Sequence, residues 1–325
     1  MENYMINIIM PAYNAHKTIR QAIASVAMQD CLEDIYLTIV DDNSEESYDY
    51  LLNDFSYMNI EILKKRTNTG CGQSRQYGID HCKCEYFMFL DADDCLYSPN
   101  AIKKILSYMN KDELDFLYTD FLEELENGDY LLHENDGVWM HGKVFKTSFI
   151  RKHGIHFNKT RVNEDHAFNI ISGSVEHKSL YVDYITYVWK FNTESITRSC
   201  DSRSIHMKEF VINAKFTINE MIRLLASESR ILDISKNYII NLYANYVVFK
   251  YQQKDEKYMN EYLSLISDFF WTLPAPIGEI LRTDSLELYS ESIYRDPVIQ
   301  QLIENNVVLS PAFDNFLSLL VTGGD

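Results

Sequence analysis

At 325 residues, with 46% apolar and 24% charged side chains, the chain can build one large or two ordinary globular domains and is too balanced for a disordered or collagen-like polymer. Thirty basic against 48 acidic side chains give a formal charge of -18, which disfavours nucleic acid and anionic membrane surfaces as partners. The six cysteines (Cys31, Cys71, Cys82, Cys84, Cys95 and Cys200) lack the paired spacing of a zinc site or a disulfide framework, which points to a reducing compartment. The first residues carry no basic stretch and too short an apolar run for a signal peptide, and no apolar stretch is long enough for an integral membrane segment. A cytoplasmic location is therefore expected.

Residues 5–10 form a short apolar run ending at Pro11, and residues 35–40 (IYLTIV) form another ending at Asp41. Both read as buried strands. Between them, Ile19, Ala22, Ile23, Val26 and Ala27 share one helical face, so the unit is strand, helix, strand with parallel strands. A third strand is expected at residues 60–63, a helix at 73–81, and a fourth strand at 86–90 (YFMFL) running into Asp91-Ala92-Asp93-Asp94. Ser98 and Pro99 read as N-cap and first residue of a further helix, and residues 116–119 as another strand. The alternation defines an α/β fold.

From about residue 204 the pattern turns helical. Phe210, Ala214, Ile218, Met221 and Leu225 form one stripe, and Ile231, Ile234, Tyr238, Leu242, Tyr246 and Phe249 another. Four of the six prolines lie in this part (Pro274, Pro276, Pro297, Pro311), which suggests short helices separated by proline turns. The expected division is residues 1–203 as a catalytic α/β domain and 204–325 as a helical region that binds the acceptor or forms a homo-oligomer. Its tyrosine-rich helices read first as core and second as a self-association face.

Ligands of an open parallel sheet sit at the carboxyl ends of its strands. Pro11-Ala12-Tyr13-Asn14 follows the first strand, Asp41-Asp42-Asn43-Ser44 the second and Asp91-Ala92-Asp93-Asp94 the fourth. Each alone would serve as a turn or cap. Three at one sheet edge suggest a site. Three carboxylates within four residues repel one another unless a cation or a hydrogen-bond network is present, and hard oxygen ligands favour Mg2+ or Mn2+.

The loop from Asn68 to Gly78 opens a helix and carries Arg75 near its start, where a cation opposes the helix dipole unless an anion lies nearby. Gly70-Cys71-Gly72 is not a dinucleotide fingerprint, because Arg75 stands where the third glycine is needed and the loop does not follow the first strand. Glu164 and Asp165 precede His166-Ala167-Phe168 and could simply favour a helix start. Trp139, Met140 and His141 read as packing or as an acceptor-site wall, and residues 189–191 (WKF) as a strand at the rim of the site.

Together, Pro11-Ala12-Tyr13-Asn14, Val40-Asp41-Asp42-Asn43-Ser44, Asn68-x-Gly70 with Ser74-Arg75-Gln76, Leu90-Asp91-Ala92-Asp93-Asp94 and Asn163-Glu164-Asp165 resemble, in order and spacing, the inverting family 2 glycosyltransferases of the GT-A fold. The resemblance extends over about residues 5–200 and includes Thr193-Glu194-Ser195-Ile196-Thr197. It implies a Rossmann-like mixed sheet flanked by helices and a nucleotide-sugar donor, UDP-linked. Asp42 would accept the N3-H of uracil, with Pro11, Ala12, Tyr13, Asn14 and Asp41 around the base and Arg75 near the base or diphosphate. Asp91 and Ala92 would meet the donor, Asp93 and Asp94 would hold Mn2+ or Mg2+, and Asp165, with Glu164 beside it, would be the catalytic base. Gln76 stands where the family usually has asparagine.

The acceptor implied is a hydroxyl-bearing carbohydrate or other molecule: a polysaccharide, a teichoic-acid-like polymer, a protein or a modified nucleobase. Two rivals to a glycosyltransferase are a sugar nucleotidyltransferase, whose glycine-rich, lysine-bearing loop after the first strand is missing from Pro11-Ala12-Tyr13-Asn14, and a non-catalytic nucleotide-sugar or glycan-binding protein.

Overall fold

The computed structural model describes residues 4–193, 203–252, 256–283 and 296–322, together with Tyr289 and Ile293, and divides into two compact units, residues 1–199 and 200–325. In the first unit the apolar runs become the strands β1 (Ile6–Ala12), β2 (Ile35–Asp41), β3 (Ile60–Lys64) and β4 (Tyr86–Phe89), all mutually parallel and ordered β3-β2-β1-β4. The sheet continues through β8 (Lys143–Lys146), β6 (Phe116–Glu124), β9 (Ser179–Trp189) and the short β5 (Cys95–Leu96), while β7 (Tyr130–His133) pairs with β6 outside this path. Strand β8 runs antiparallel to β4 and β6, and β9 lies parallel to β6 across a register shift at Asp120. The sheet is therefore mixed.

Both faces of β1 are covered, which is why its sequence is apolar throughout rather than alternating. Ile6, Ile8, Met10 and Ala12 join a core with Ile19, Ala22, Ile23 and Val26 of helix α1 (Ile19–Ala27). Ile102, Ile105 and Met109 of the helix at Ala101–Asp112 extend it. On the opposite face Ile9 meets the helix at Cys71–His81 at Gly78, where an added Cβ would stand 2.3 Å from Ile9 Cγ2. Each such buried aliphatic side chain contributes about 1.5 to 3 kcal/mol relative to exposure.

The parallel register aligns Ala12 with Asp41 and Ile9 with Phe89, so the segments after β1, β2 and β4 emerge at the same edge of the sheet. Ser98 and Pro99 do not start the following helix. The Pro99 carbonyl accepts from Asp30 N at 2.8 Å and the Ser98 carbonyl from Gln29 Nε2 at 2.9 Å, so these tertiary bonds hold the segment outside the helix and Asn100 occupies the N-cap. Among the described cysteines, Cys31, Cys71, Cys82, Cys84 and Cys95 are free thiols.

The second unit contains helices at Arg203–Arg223, Glu228–Gln252, Glu256–Thr272, Ile277–Thr283, Pro297–Glu304 and Phe313–Thr322. The expectation of short helices throughout is corrected: the first three run 21, 25 and 17 residues, because all four prolines fall beyond Thr272. Pro297 opens its helix behind Asp296, whose carboxylate accepts from Val298 N and Ile299 N at 3.0 and 3.1 Å. Tyr238, Tyr243, Tyr246, Tyr262 and Tyr289 are buried, as core tyrosines should be. The hydroxyl of Tyr243 donates to the Pro311 carbonyl at 2.9 Å. Among the described residues no helix is long and apolar enough to cross a membrane.

Candidate active site at the carboxyl edge of the sheet

Arg75 lies on the helix at Cys71–His81, here α3, and is 5% exposed. One arm of its guanidinium, Nη2, donates to both oxygens of Asp91 at 2.8 and 3.0 Å. The other, Nη1, donates to Glu164 Oε1 at 3.1 Å, while Nε has no partner. The anions that offset this arginine against the helix dipole are thus carboxylates of the protein itself. Glu164 opens the helix at Glu164–Ser172, here α6, behind Asn163, whose left-handed φ of 60° turns the chain into the helix. The approach depends on Gly72, since a Cβ there would stand 2.5 Å from Glu164 Cγ.

Three carboxyl groups face one guanidinium. Burial and the charge of Asp165 push the Glu164 carboxyl up to about 8, against the pull of Arg75. Burial also raises Asp165, opposed by Arg75 and by the His166 N-H, which donates to Asp165 Oδ1 at 2.8 Å. Burial thus favours the protonated form of Glu164, which stays held against Arg75.

The turn after β4 is tied down side chain by side chain. Asp91 N-H donates to Tyr187 Oη at 3.2 Å, and that hydroxyl donates to Asp94 Oδ2 at 2.5 Å. Lys190 N-H donates to Asp94 Oδ1 at 2.8 Å, and Asn192 Nδ2 donates to Asp93 Oδ2 at 2.8 Å. Part of the mutual repulsion expected of these acids is therefore met by a hydrogen-bond network. Asp94 is still held well above the usual carboxylate range by burial and by the charges of Asp91 and Asp93. Ala92 is buried between them.

At the neighbouring strand ends, Asp41 is buried and its Oδ1 accepts from Ser44 N at 2.8 Å. Asn14 N-H donates to Ser44 Oγ at 2.9 Å, and Asn14 Oδ1 accepts from Glu45 N at 3.0 Å, which ties the loops after β1 and β2 together. Pro11 and Ala12 complete buried β1, and Tyr13 projects half-exposed from its end. Asp42 accepts from Thr69 N and Gly70 N, the latter at 2.8 Å, and pairs with Lys65 Nζ at 2.7 Å. It anchors the loop that leads into α3, and a base edge would have to share lone pairs already in use.

Sequence reasoning assigned no role to Lys65 or Tyr187 and left His141 between two readings. Lys65 reaches Asp42, Ser74 Oγ and Thr69 Oγ1 from just beyond β3, where a surface lysine is the ordinary expectation. Tyr187 could have been found from the aromatic and β-branched run of residues 180–189, which marks β9. His141 is placed by a loop held at both ends. Lys143 Nζ donates to the Asp136 carbonyl at 2.8 Å and also to the Trp139 carbonyl, and Asn169 Nδ2 of α6 donates to the Val138 carbonyl at 2.8 Å. Burial holds the His141 imidazole down to about 3, so the ring is neutral. Trp189 ends β9, and Lys190 and Phe191 lie beyond it, with Lys190 Nζ on Glu124 Oε1 at 2.8 Å. Residues 194–197, the end of the Thr193 segment, lie outside the described residues.

A mixed sheet with an acidic, arginine-braced turn at the carboxyl edge of its parallel half is the architecture of a GT-A glycosyltransferase domain. Two solved structures share this fold. TarS 1-349 of S. aureus in complex with UDP-GlcNAc superposes with a TM-score of 0.71 at 15% identity, covering 93% of this chain and 92% of that one. The mannosyltransferase PcManGT from Pyrobaculum calidifontis, in complex with GDP-Man and Mn2+, gives 0.54 at 11% identity over 99% and 87% of the two chains. Residues 7–161 match the family described as Glycosyl transferase family 2.

Among curated relatives, the Escherichia coli UDP-Glc:alpha-D-GlcNAc-diphosphoundecaprenol beta-1,3-glucosyltransferase WfgD is 30% identical over 121 residues, 37% of this chain and 47% of that protein. The Bacillus subtilis minor teichoic acid biosynthesis protein GgaB is 30% identical over 137 residues, 40% and 15% of the two chains. The alignments thus span about half of these relatives or less.

Proposed function

We propose that the protein is an inverting glycosyltransferase that moves a sugar from a UDP-linked donor to a hydroxyl group of a cell-surface glycan. The observation that carries this reading is Arg75, which ties the acidic turn after β4 to the start of α6 and so brings Asp91 and the Glu164-Asp165 pair to one edge of the sheet. The relatives support the substrate class: one is named for transfer from UDP-Glc, another for teichoic acid synthesis, and TarS is seen with UDP-GlcNAc.

In this mechanism Pro11, Ala12, Tyr13 and Asn14 frame the base with Asp41 and Asp42, and the donor diphosphate lies toward the Asp91–Asp94 turn. Asp165 removes the proton from the acceptor oxygen as that oxygen attacks the anomeric carbon from the face opposite the departing diphosphate, so configuration inverts. Glu164 keeps its own proton and stays bound to Arg75, which fixes the position of the next residue in α6. A divalent cation, when bound by the acids of the Asp91–Asp94 turn, supplies positive charge against the diphosphate as it leaves. The chemistry of the donor set fits such an ion, because Asp94 is a buried carboxylate close to the charges of Asp91 and Asp93. The helical unit is assigned to acceptor binding or self-association.

The test is a panel of nucleotide sugars incubated with the full chain, with Mn2+ and with EDTA, followed by measurement of the nucleotide released. The reading expects UDP from one UDP-sugar and little from GDP- or CDP-linked donors. Release of pyrophosphate from UTP and a sugar phosphate would identify a nucleotidyltransferase, and tight UDP-sugar binding without turnover, acceptor extracts included, a binding protein.

A further inference from the structure

Lys143 is a buried cation with no part in the donor site or in proton removal. It stands first in β8, is 7% exposed, and its Nζ donates to the Asp136 carbonyl at 2.8 Å and to the Trp139 carbonyl. Burial draws the ammonium down to about 8, against the charges of Asp136 and Asp165. From the other side, Asn169 Nδ2 donates to the carbonyls of Val138 and Trp139 at 2.8 and 3.1 Å. Asn169 follows Asp165 by one turn of α6, so the two side chains share a face of that helix. Asp136 Oδ1 accepts from Val138 N and Trp139 N, both at 2.8 Å. The backbone of Trp139 is thus held at its N-H and twice at its carbonyl, and its partly buried ring packs on Trp189 with centroids 4.8 Å apart. A buried ammonium is destabilising relative to an apolar side chain of the same shape, so its use here points to a loop that has to be held in one place.

We propose that Lys143 is a positioning residue for the acceptor: with Asn169 it clamps residues 136–139 onto the Asp165 face of α6, and Trp139 in that loop is the wall on which the pyranose ring bearing the attacking hydroxyl is set. The proposal rests on Asp165 as the base. The donor side of the site is built from the turns after β1, β2 and β4 in the parallel half of the sheet, whereas this loop joins β7 to β8 in the antiparallel half. Attack from the face opposite the diphosphate would bring the acceptor oxygen to Asp165 from the side of the loop. A flat, rigid indole matches the C-H face of a sugar ring and leaves the hydroxyl groups at the ring edge free to meet Asp165.

The experiment is steady-state transfer by the full chain from the UDP-sugar that supports release of UDP. The acceptors are methyl glycosides and disaccharides of glucose, galactose and N-acetylglucosamine, and the variants are Lys143→Met, Lys143→Arg, Asn169→Ala and Trp139→Ala. Lys143→Met should raise the acceptor KM at least about tenfold and leave the donor KM within about twofold, and Lys143→Arg, which keeps a charged donor, should recover part of the loss. Trp139→Ala should show the same split. If Lys143→Met fails to fold in a melting experiment, Asn169→Ala, which cuts only the α6 side of the clamp, carries the same expectation. An unchanged acceptor KM in the folded variants, or donor and acceptor constants that worsen together, overturns the proposal. Hydrolysis of the donor by wild type without transfer to any of these sugars overturns the pyranose wall. Asp165→Asn should lower kcat and keep both KM values, so a failure of the base reading is seen in kcat and a failure of the clamp in the acceptor KM. No turnover of any UDP-sugar overturns both.

Discussion

Arg75 and Glu164, 89 positions apart in sequence, meet at 3.1 Å with both side chains almost fully buried. The contact couples the helix that begins at Cys71 to the helix that begins at Glu164, and Asp165 inherits its position from it. Gly72 is where this coupling is most easily broken. In Gly72→Ala the new methyl would stand 2.5 Å from Glu164 Cγ, so Glu164 must leave Arg75 or the two helices must separate. The expected result is a loss of about 1 to 3 kcal/mol of stability, read by denaturant melts, with transfer reduced at least about tenfold. Normal transfer by a normally stable variant would show that the spacing of the two helices has no bearing on the site.

The protonation of Glu164 gives a stability profile. Its folded value of about 8 lies above the ordinary 4.5. Between those values the folded state holds a proton that the unfolded chain has released, so this group's contribution is full below about pH 4.5 and is lost as pH rises toward 8. Arg75, Asp91, Cys71 and Asp165 are the ionisable groups around it. Glu164→Gln mimics the protonated form and should flatten this slope. Melting temperatures of the two proteins should therefore diverge in favour of the variant between about pH 5 and about pH 9. A difference that stays constant across that range would mean Glu164 is ionised in the folded protein.

Asp42 is asked to do two things. Its carboxylate holds Lys65 and the Thr69 and Gly70 amides, and the proposed donor site adds a base N-H. Calorimetry should find UDP bound more tightly than CDP, since cytosine offers no N3-H. Asp42→Asn should narrow that preference and also lower the melting temperature, because an amide cannot satisfy a lysine and two N-H groups at once. An unchanged ratio of UDP to CDP affinity alongside a lower melting temperature would leave Asp42 as an anchor of the loop alone.

The strands β1, β2 and β4 and the acids that end them were legible because both signals are local: an apolar run covered on two faces, then a turn rich in Asp and Asn. Family resemblance then singled out Asp165. Arg75 was legible as a cation in want of an anion, but its partners at 16 and 89 positions' distance were not. Periodicity says nothing about which elements meet. Tyr187 and His141 were hidden for a related reason. Their surroundings are made by β9 and by a loop held from β8 and α6, so their chemistry exists only once the antiparallel half of the sheet has formed. The start of the helix at Ala101–Asp112 was misplaced because tertiary hydrogen bonds to Ser98 and Pro99 outweighed a good local cap.

The central claim is that Asp165, not Glu164, takes the acceptor proton, and sugar transfer by Asp165→Asn compared with wild type, at matched UDP affinity and melting temperature, tests it most directly. The account predicts transfer lowered by roughly 100-fold to 10,000-fold with binding and folding preserved, while Glu164→Gln, which keeps the neutral form of its side chain, loses far less. Near-normal transfer by Asp165→Asn together with an inactive Glu164→Gln would contradict it and move the base one residue toward Arg75.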